Sequence, residues 1–394
     1  MQDRLVLTLF FNSMYLDYNA THPPFIDILE SCIHDYIDNY ANSSGISYLS
    51  QKNQGRIEAS RAELCQQLQS FHKAAVEPID LLFVSTGTEA VYSMIKAFRK
   101  KSETEPIVLI SAYEHEAMVA ASESAGFRIE RLPASASGIV DPESVRNRLK
   151  NGKLPTLVSV MSICNETGVV QPINEIANIA HEFEIPFVTD SIQATGKYPI
   201  DFSLVNAAIV NGHKIGAGYG SAAVYVNHTA KDGTITRFQP IFEGGLQENE
   251  RRAGTENLPA ILALPKAFQR QIENYSKKGL SINRHKKIEE MLKIECEATI
   301  TAESSKRSNT SYAIFPKMEN MDFLLMALDR EDILCSTGSS CKSRTRQPSA
   351  TLLRMGFSQE EAIQALRFST GYFTTNDEID DFCDRFPKIY RTCL

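Results

Sequence analysis

The sequence predicts an α/β protein: a large domain with a mostly parallel sheet covered by helices on both faces, plus a smaller α+β domain. Three observations carry this. Short apolar runs of buried-strand type recur at 81–85, 107–111, 157–161, 186–189 and 207–210. Between them, 89–100, 116–125, 143–149 and 173–181 show helical spacing of apolar residues. Strands alternating with helices make parallel sheets, because a parallel crossover needs a helix's length of chain. After Asn257-Leu258-Pro259 that alternation stops.

The elements follow in order. At the start, 5–11 (LVLTLFF) lies behind Asp3 and Arg4, with no small-residue cleavage site before Tyr15. It is too short to cross a bilayer and reads as a buried strand or an apolar docking segment. Downstream, 222–226 is a further strand, hairpin-linked to 207–210 through the glycine-rich turn 216–220. The large domain thus spans 23–259, while 1–22 joins 260–394 in the small one, which carries the loop around Cys341. A long helical stretch runs from Ala260 to about Leu292, with Lys277, Lys278, Lys286 and Lys287 on a solvated face. Strand-like 311–315 and 333–336 and helices at 348–355 and 360–365 follow.

Composition narrows the function. Of 394 residues 43% are hydrophobic, enough for sizeable cores and too many for a disordered chain. The net charge of −7 supplies no basic field to draw the protein to nucleic acid or an anionic membrane. Eight scattered cysteines form neither a disulfide scaffold nor the paired CxxC of a structural zinc site, and no metal is expected. The expectation is a cytoplasmic enzyme.

In an open α/β sheet, ligands bind at the carboxyl ends of the strands, and five places there carry chemistry. Ser85-Thr86-Gly87-Thr88-Glu89 opens a helix, either as an anion site or as a plain N-cap with a tight turn. Asp190, with Gln193 on the following turn, fits a metal ligand, an N-cap or the partner of a protonated ring nitrogen. Gly212-His213-Lys214 places a lysine at a strand end, where partial burial suits it to Schiff-base chemistry. Cys341 sits in a polar loop with Lys342, Arg344 and Arg346, whose charge favours a thiolate, whereas Cys32, Cys65 and Cys383 sit among apolar residues. Arg367, inside an apolar run, calls for a carboxylate from the protein or a substrate.

Taken together, the motifs resemble one family. Tyr15-Leu16-Asp17-Tyr18-Asn19-Ala20-Thr21, Gly87-Thr88-Glu89, Glu114-His115, Asn165-Glu166-Thr167-Gly168 and Asp190-Ser191-Ile192-Gln193 occur in its order. So do Gly212-His213-Lys214, Arg252-Ala253-Gly254-Thr255-Glu256-Asn257, Ser339-Ser340-Cys341 and Arg367-Phe368-Ser369. The chain resembles the cysteine desulfurases, pyridoxal-phosphate enzymes of the class V aminotransferase group with the type I fold. That resemblance implies that Lys214 holds pyridoxal 5'-phosphate covalently, Asp190 pairs with its pyridinium nitrogen and Gln193 meets its phenolic oxygen. His115 would stack on the ring and move protons. Gly87, Thr88, Asn211 and His213 would cradle the phosphate, with Thr255 reaching in from the other subunit of a homodimer. Asn165 and Arg367 would hold the carboxylate of L-cysteine, and Cys341 would take its sulfur as a persulfide, leaving L-alanine.

Three departures stand out. Asn211 replaces the usual Ser or Thr, Ala217-Gly218-Tyr219-Gly220 replaces the usual turn after the lysine, and His22 replaces a Thr. The persulfide would pass to an acceptor protein, an iron–sulfur scaffold or a tRNA- or DNA-thiolation protein. The alternative reading is a pyridoxal-phosphate selenocysteine lyase or cysteine/cystine lyase, which needs no persulfide on Cys341.

Overall fold

Each central strand divides its side chains between two apolar layers. The computed structural model describes residues 13–99, 103–227, 238–278, 282–338 and 347–394; the segment 5–11 and the loop with Cys341 lie outside these. Met14–Tyr15 forms a short first strand, β1. The central sheet comprises β2 (Leu81–Val84), β3 (Ile107–Ile110), β4 (Arg128–Arg131), β5 (Leu157–Ser159), β6 (Phe187–Thr189), β7 (Ala207–Asn211) and β8 (Ala222–Val226). Their spatial order is β2-β8-β7-β6-β5-β3-β4. Neighbours run parallel except β8, which is antiparallel to both β2 and β7, as the hairpin expectation requires.

Period-two alternation explains the continuous apolar runs. Leu81, Phe83, Ala208 and Val210 pack on one face of the sheet, and Leu82, Val84, Ala207 and Ile209 on the other. Burying each of the larger side chains contributes roughly 1.5–3 kcal/mol. The edge strand β4 differs: Arg128 and Arg148 pair with Glu130, and a charged edge resists pairing with another chain. Helices Gly87–Ala97, Glu116–Ser124, Pro142–Lys150 and Ile173–Glu182 lie within two residues of the expected ends, apart from the C-terminus of the first. Asp141 caps the third by accepting from the Glu143 and Ser144 N–H groups.

Beyond the sheet, β9 (Thr299–Ile300), β10 (Thr310–Ile314) and β12 (Ala365–Ser369) form an antiparallel sheet, and β11 (Ile333–Leu334) pairs in parallel with β1. Met14 and Leu16 share a second apolar cluster with Phe315, Phe368 and Phe386. The expected long helix is two, Leu258–Lys278 and Ile282–Cys296. The first buries Leu264, Ala267 and Phe268 in the large core, which also takes in Tyr312, Ile314 and Leu352. Helices Ile26–Asp38, Tyr48–His72 and Asn376–Cys393 are additional to the elements read from the sequence. No helix among the described residues is long and apolar enough to cross a membrane.

Candidate active site

The carboxyl ends of the parallel strands open on one cavity of about 470 Å³. Gly87 and Thr88 follow β2, His115 follows β3, Asn165 follows β5, Asp190 and Gln193 follow β6, and Asn211, His213 and Lys214 end β7; all line it. Thr255 and Arg367 are not among the lining residues, and Cys341 lies outside the described residues.

At one end, helix Gly87–Ala97 points its N-terminus into the cavity. Its Thr86 cap accepts from the Glu89 N–H, leaving the first N–H groups without helical partners. A Cβ on Gly87 would come within 2.5 Å of Asn211 Nδ2, so the backbone lies open there only because the residue is glycine. The Glu89 carboxylate accepts from the Ser85 hydroxyl and N–H and pairs at 2.8 Å with Arg252, which ties the 252–257 segment to this helix.

Lys214 Nζ donates to the carbonyls of Asn19 and Ala20, each at 2.7 Å. His213 Nδ1 lies 3.1 Å from Thr21 Oγ1, and its ring stacks on Tyr219, so the altered turn supplies the wall behind this histidine. Burial, with the charges of Lys214 and Lys197, brings the His213 imidazole down to about 4 and keeps it neutral. His115 caps helix Glu116–Ser124, its Nδ1 accepting from the Ala117 N–H at 3.1 Å, so the neutral ring carries its proton on Nε2. Asp190 is buried, accepts from the Ile192 N–H at 2.9 Å, and lies in the field of His115 and Lys214.

Glu114 was visible in the sequence only as the neighbour of His115. Its Oε1 accepts from Ser111 Oγ at 2.8 Å and from the Met161 N–H at 2.6 Å, while its buried Oε2 has no partner among the described residues. Burial, then the Asp190 charge, pushes Glu114 up to about 8, although the Ser111 bond opposes this. Burial raises Asp190 too, but the Ile192 N–H and the Lys214 charge favour its anion. The pair therefore keeps its proton on Glu114. A raised carboxyl favours the folded state fully below its ordinary value of 4.5, and that contribution fades as pH climbs towards 8. Apoprotein carrying Glu114→Gln should gain thermal stability relative to the parent between pH 5 and 8, by at most about 4–5 kcal/mol. A difference that stays flat across that range in thermal melts would overturn this assignment.

Arg367 finds a protein carboxylate. It is 1% exposed; Nη2 donates to Asp17 Oδ1 at 2.6 Å, and Nη1 to the carbonyls of Asn165 and Gly338, both at 2.8 Å. Its Nε is buried and has no hydrogen-bond partner among the described residues. Asp17 was legible as part of a motif but not as this partner.

Comparison with known proteins identifies the family. The aminotransferase class-V family model matches residues 14–382. A Methanosarcina thermophila protein named cysteine desulfurase IscS is 32% identical over 96% of this chain and 92% of its own. The Azotobacter vinelandii cysteine desulfurase NifS is 30% identical over 95% of this chain and 92% of its own. The solved structure of a NifS-like protein from Rickettsia africae superposes with a TM-score of 0.81 at 28% identity, covering 96% of this chain and all of that one. The chain belongs to the aminotransferase class-V family, among the cysteine desulfurases.

Proposed function

We propose that this chain, with pyridoxal 5'-phosphate, converts L-cysteine to L-alanine and collects the sulfur as a persulfide on Cys341. The observation that carries the reading is the convergence of Lys214, Asp190, His115 and Gln193 on one cavity that also receives a helix N-terminus. These residues fit the cofactor. The Gly87 cradle, the helix N-terminus and the Asn211 amide suit a phosphate, and the buried Asp190 carboxylate suits a ring cation. When bound, pyridoxal phosphate supplies an electron-withdrawing ring that stabilises negative charge on the substrate carbon. Lys214 anchors the cofactor, and His115 Nε2 exchanges a proton within the cavity. The Cys341 thiolate attacks the substrate sulfur; the carbon–sulfur bond breaks, a sulfur–sulfur bond forms, and the electron pair returns to the carbon skeleton. The direct test is alanine release from cysteine by protein loaded with pyridoxal phosphate. Failure of loaded protein to release alanine overturns the reading.

Asn165 and the Arg367 Nε, which has no partner among the described residues, bind the substrate carboxylate, while Asp17 and the Asn165 and Gly338 carbonyls hold the rest of the guanidinium. Arg367→Lys should raise the KM for cysteine about tenfold or more and leave cofactor uptake intact, because a single ammonium cannot keep the Asp17 pair and also supply the N–H that Nε directs to the substrate. The measurement is steady-state kinetics beside a thermal melt. Should the variant instead mainly unfold, the Asp17 pair is structural, since breaking a buried ion pair costs about 3–5 kcal/mol.

Thr255 is exposed and outside the cavity, while Ile33, Ile37 and Tyr40 turn apolar surface outward. Both features support a homodimer in which Thr255 completes the partner's phosphate site. The seven described cysteines are free, which suits the reducing cytoplasm. From Cys341 the sulfur passes to an acceptor protein, an iron–sulfur scaffold or a thiolation partner.

A further inference from the structure

Lys197 is a second lysine beside the site, and nothing in the reaction described above uses it. It lies on the turn after β6 that also carries Asp190 and Gln193, and it does not line the cavity. Gly196, at φ +69°, turns the backbone just before it, where a Cβ would come within 2.9 Å of Gln271 Cβ on helix Leu258–Lys278. From there Lys197 Nζ reaches back to donate to Gln193 Oε1 at 3.1 Å. The same amide donates from Nε2 to the Asn19 carbonyl at 3.0 Å, the carbonyl that also receives Lys214 Nζ. An ammonium has only donors and a carbonyl only acceptors, so the two partners independently specify one orientation of the amide. The amide oxygen is committed to Lys197, and the second N–H of Nε2 is left to donate.

We propose that Lys197 is a positioning residue: by donating to Gln193 Oε1 it fixes the amide so that Gln193 presents N–H to the phenolic oxygen of pyridoxal phosphate. This rests on the proposed function and adds to it. Burial and the charges of Lys214 and Arg367 bring the Lys197 amine down to about 7; a neutral amine can still donate to Oε1, and the Asn19 carbonyl, which only accepts, keeps Nε2 in place through that titration.

The test is the dissociation constant of pyridoxal phosphate, measured by equilibrium dialysis against apoprotein, with thermal melts to check the fold. Lys197→Met should weaken binding about tenfold, the worth of one well-placed hydrogen bond to a charged group, and Lys197→Arg should restore it to within about threefold. In a Gln193→Ala background, Lys197→Met should add less than about twofold, because the residue it acts through is gone. Parent-like binding by Lys197→Met, or the same loss in both backgrounds, overturns the proposal. If the methionine variant fails to fold, Lys197→Gln, a polar donor of similar reach, gives the deciding value: parent-like binding supports positioning, and a loss that persists without Gln193 refutes it. Failure of the parent itself to bind pyridoxal phosphate would instead bring down the proposed function, an outcome recognisable without any variant.

Discussion

Lys214→Ala is expected to abolish covalent retention of pyridoxal phosphate and to lower alanine release on the order of 10³-fold or more, the loss of both the anchor and an amine beside the substrate. The reasoning begins with orientation. The Asn19 and Ala20 carbonyls hold Nζ at 2.7 Å each, inside the cavity and at the end of β7. Lys197 is the competing amine, since burial brings it down to about 7, but it faces Gln193 and lies outside the cavity lining. Borohydride reduction followed by peptide mapping separates the two. The label should sit on Lys214 in the parent and be lost in Lys214→Ala, while the melting temperature changes little because Lys214 is only half-buried. A label on Lys197 in the parent protein would reverse the assignment.

The sheet was legible because its strands are buried on both faces and carry uninterrupted apolar runs. The same physics hides β4, an edge strand made of Arg128, Ile129, Glu130 and Arg131. Helix Tyr48–His72 was illegible for a different reason. Its buried positions include the polar Ser50, Asn53, Ser60, Arg61 and Gln67; Arg61 reaches Glu248 at 2.7 Å and Gln67 the Pro265 carbonyl at 3.0 Å, far along the chain. No periodicity of apolar residues marks such a face. Within the site, residues that end strands announced themselves by position and type. Pairings between distant segments did not: Asp17 meets Arg367 across 350 positions, and no local pattern encodes that meeting. Tyr219 stood out as a departure, but its contact with His213 depends on how the turn folds back. The composition change after 259 marks the end of the strand–helix alternation, while helix Leu258–Lys278 packs on the large core through Leu264, Ala267 and Phe268, a contact no local pattern encodes.

Cys341→Ser should reduce alanine release from cysteine about 10²-fold or more and remove the roughly 32 Da sulfur adduct from the Cys341 peptide, with cofactor uptake unchanged. The described segments on either side of this residue lie beside the cavity. Arg367 Nη1 donates to both the Gly338 and the Asn165 carbonyls, so one end of the cysteine loop is pinned beside the cavity. On the other end, Ser349 and Thr351 donate to the Glu166 carboxylate, at 2.5 and 2.7 Å. Cys341 follows Gly338 by three residues, a stretch of chain whose greatest reach is about 11 Å. The chemistry also singles it out. Burial pushes the thiols of Cys32, Cys164 and Cys335 up, away from the thiolate, whereas Lys342, Arg344 and Arg346 surround Cys341 in sequence. Cys335→Ser should therefore leave the rate unchanged. If Cys341→Ser protein loaded with pyridoxal phosphate still releases alanine at the parent rate, no persulfide on this residue is needed. The lyase alternative then replaces the desulfurase.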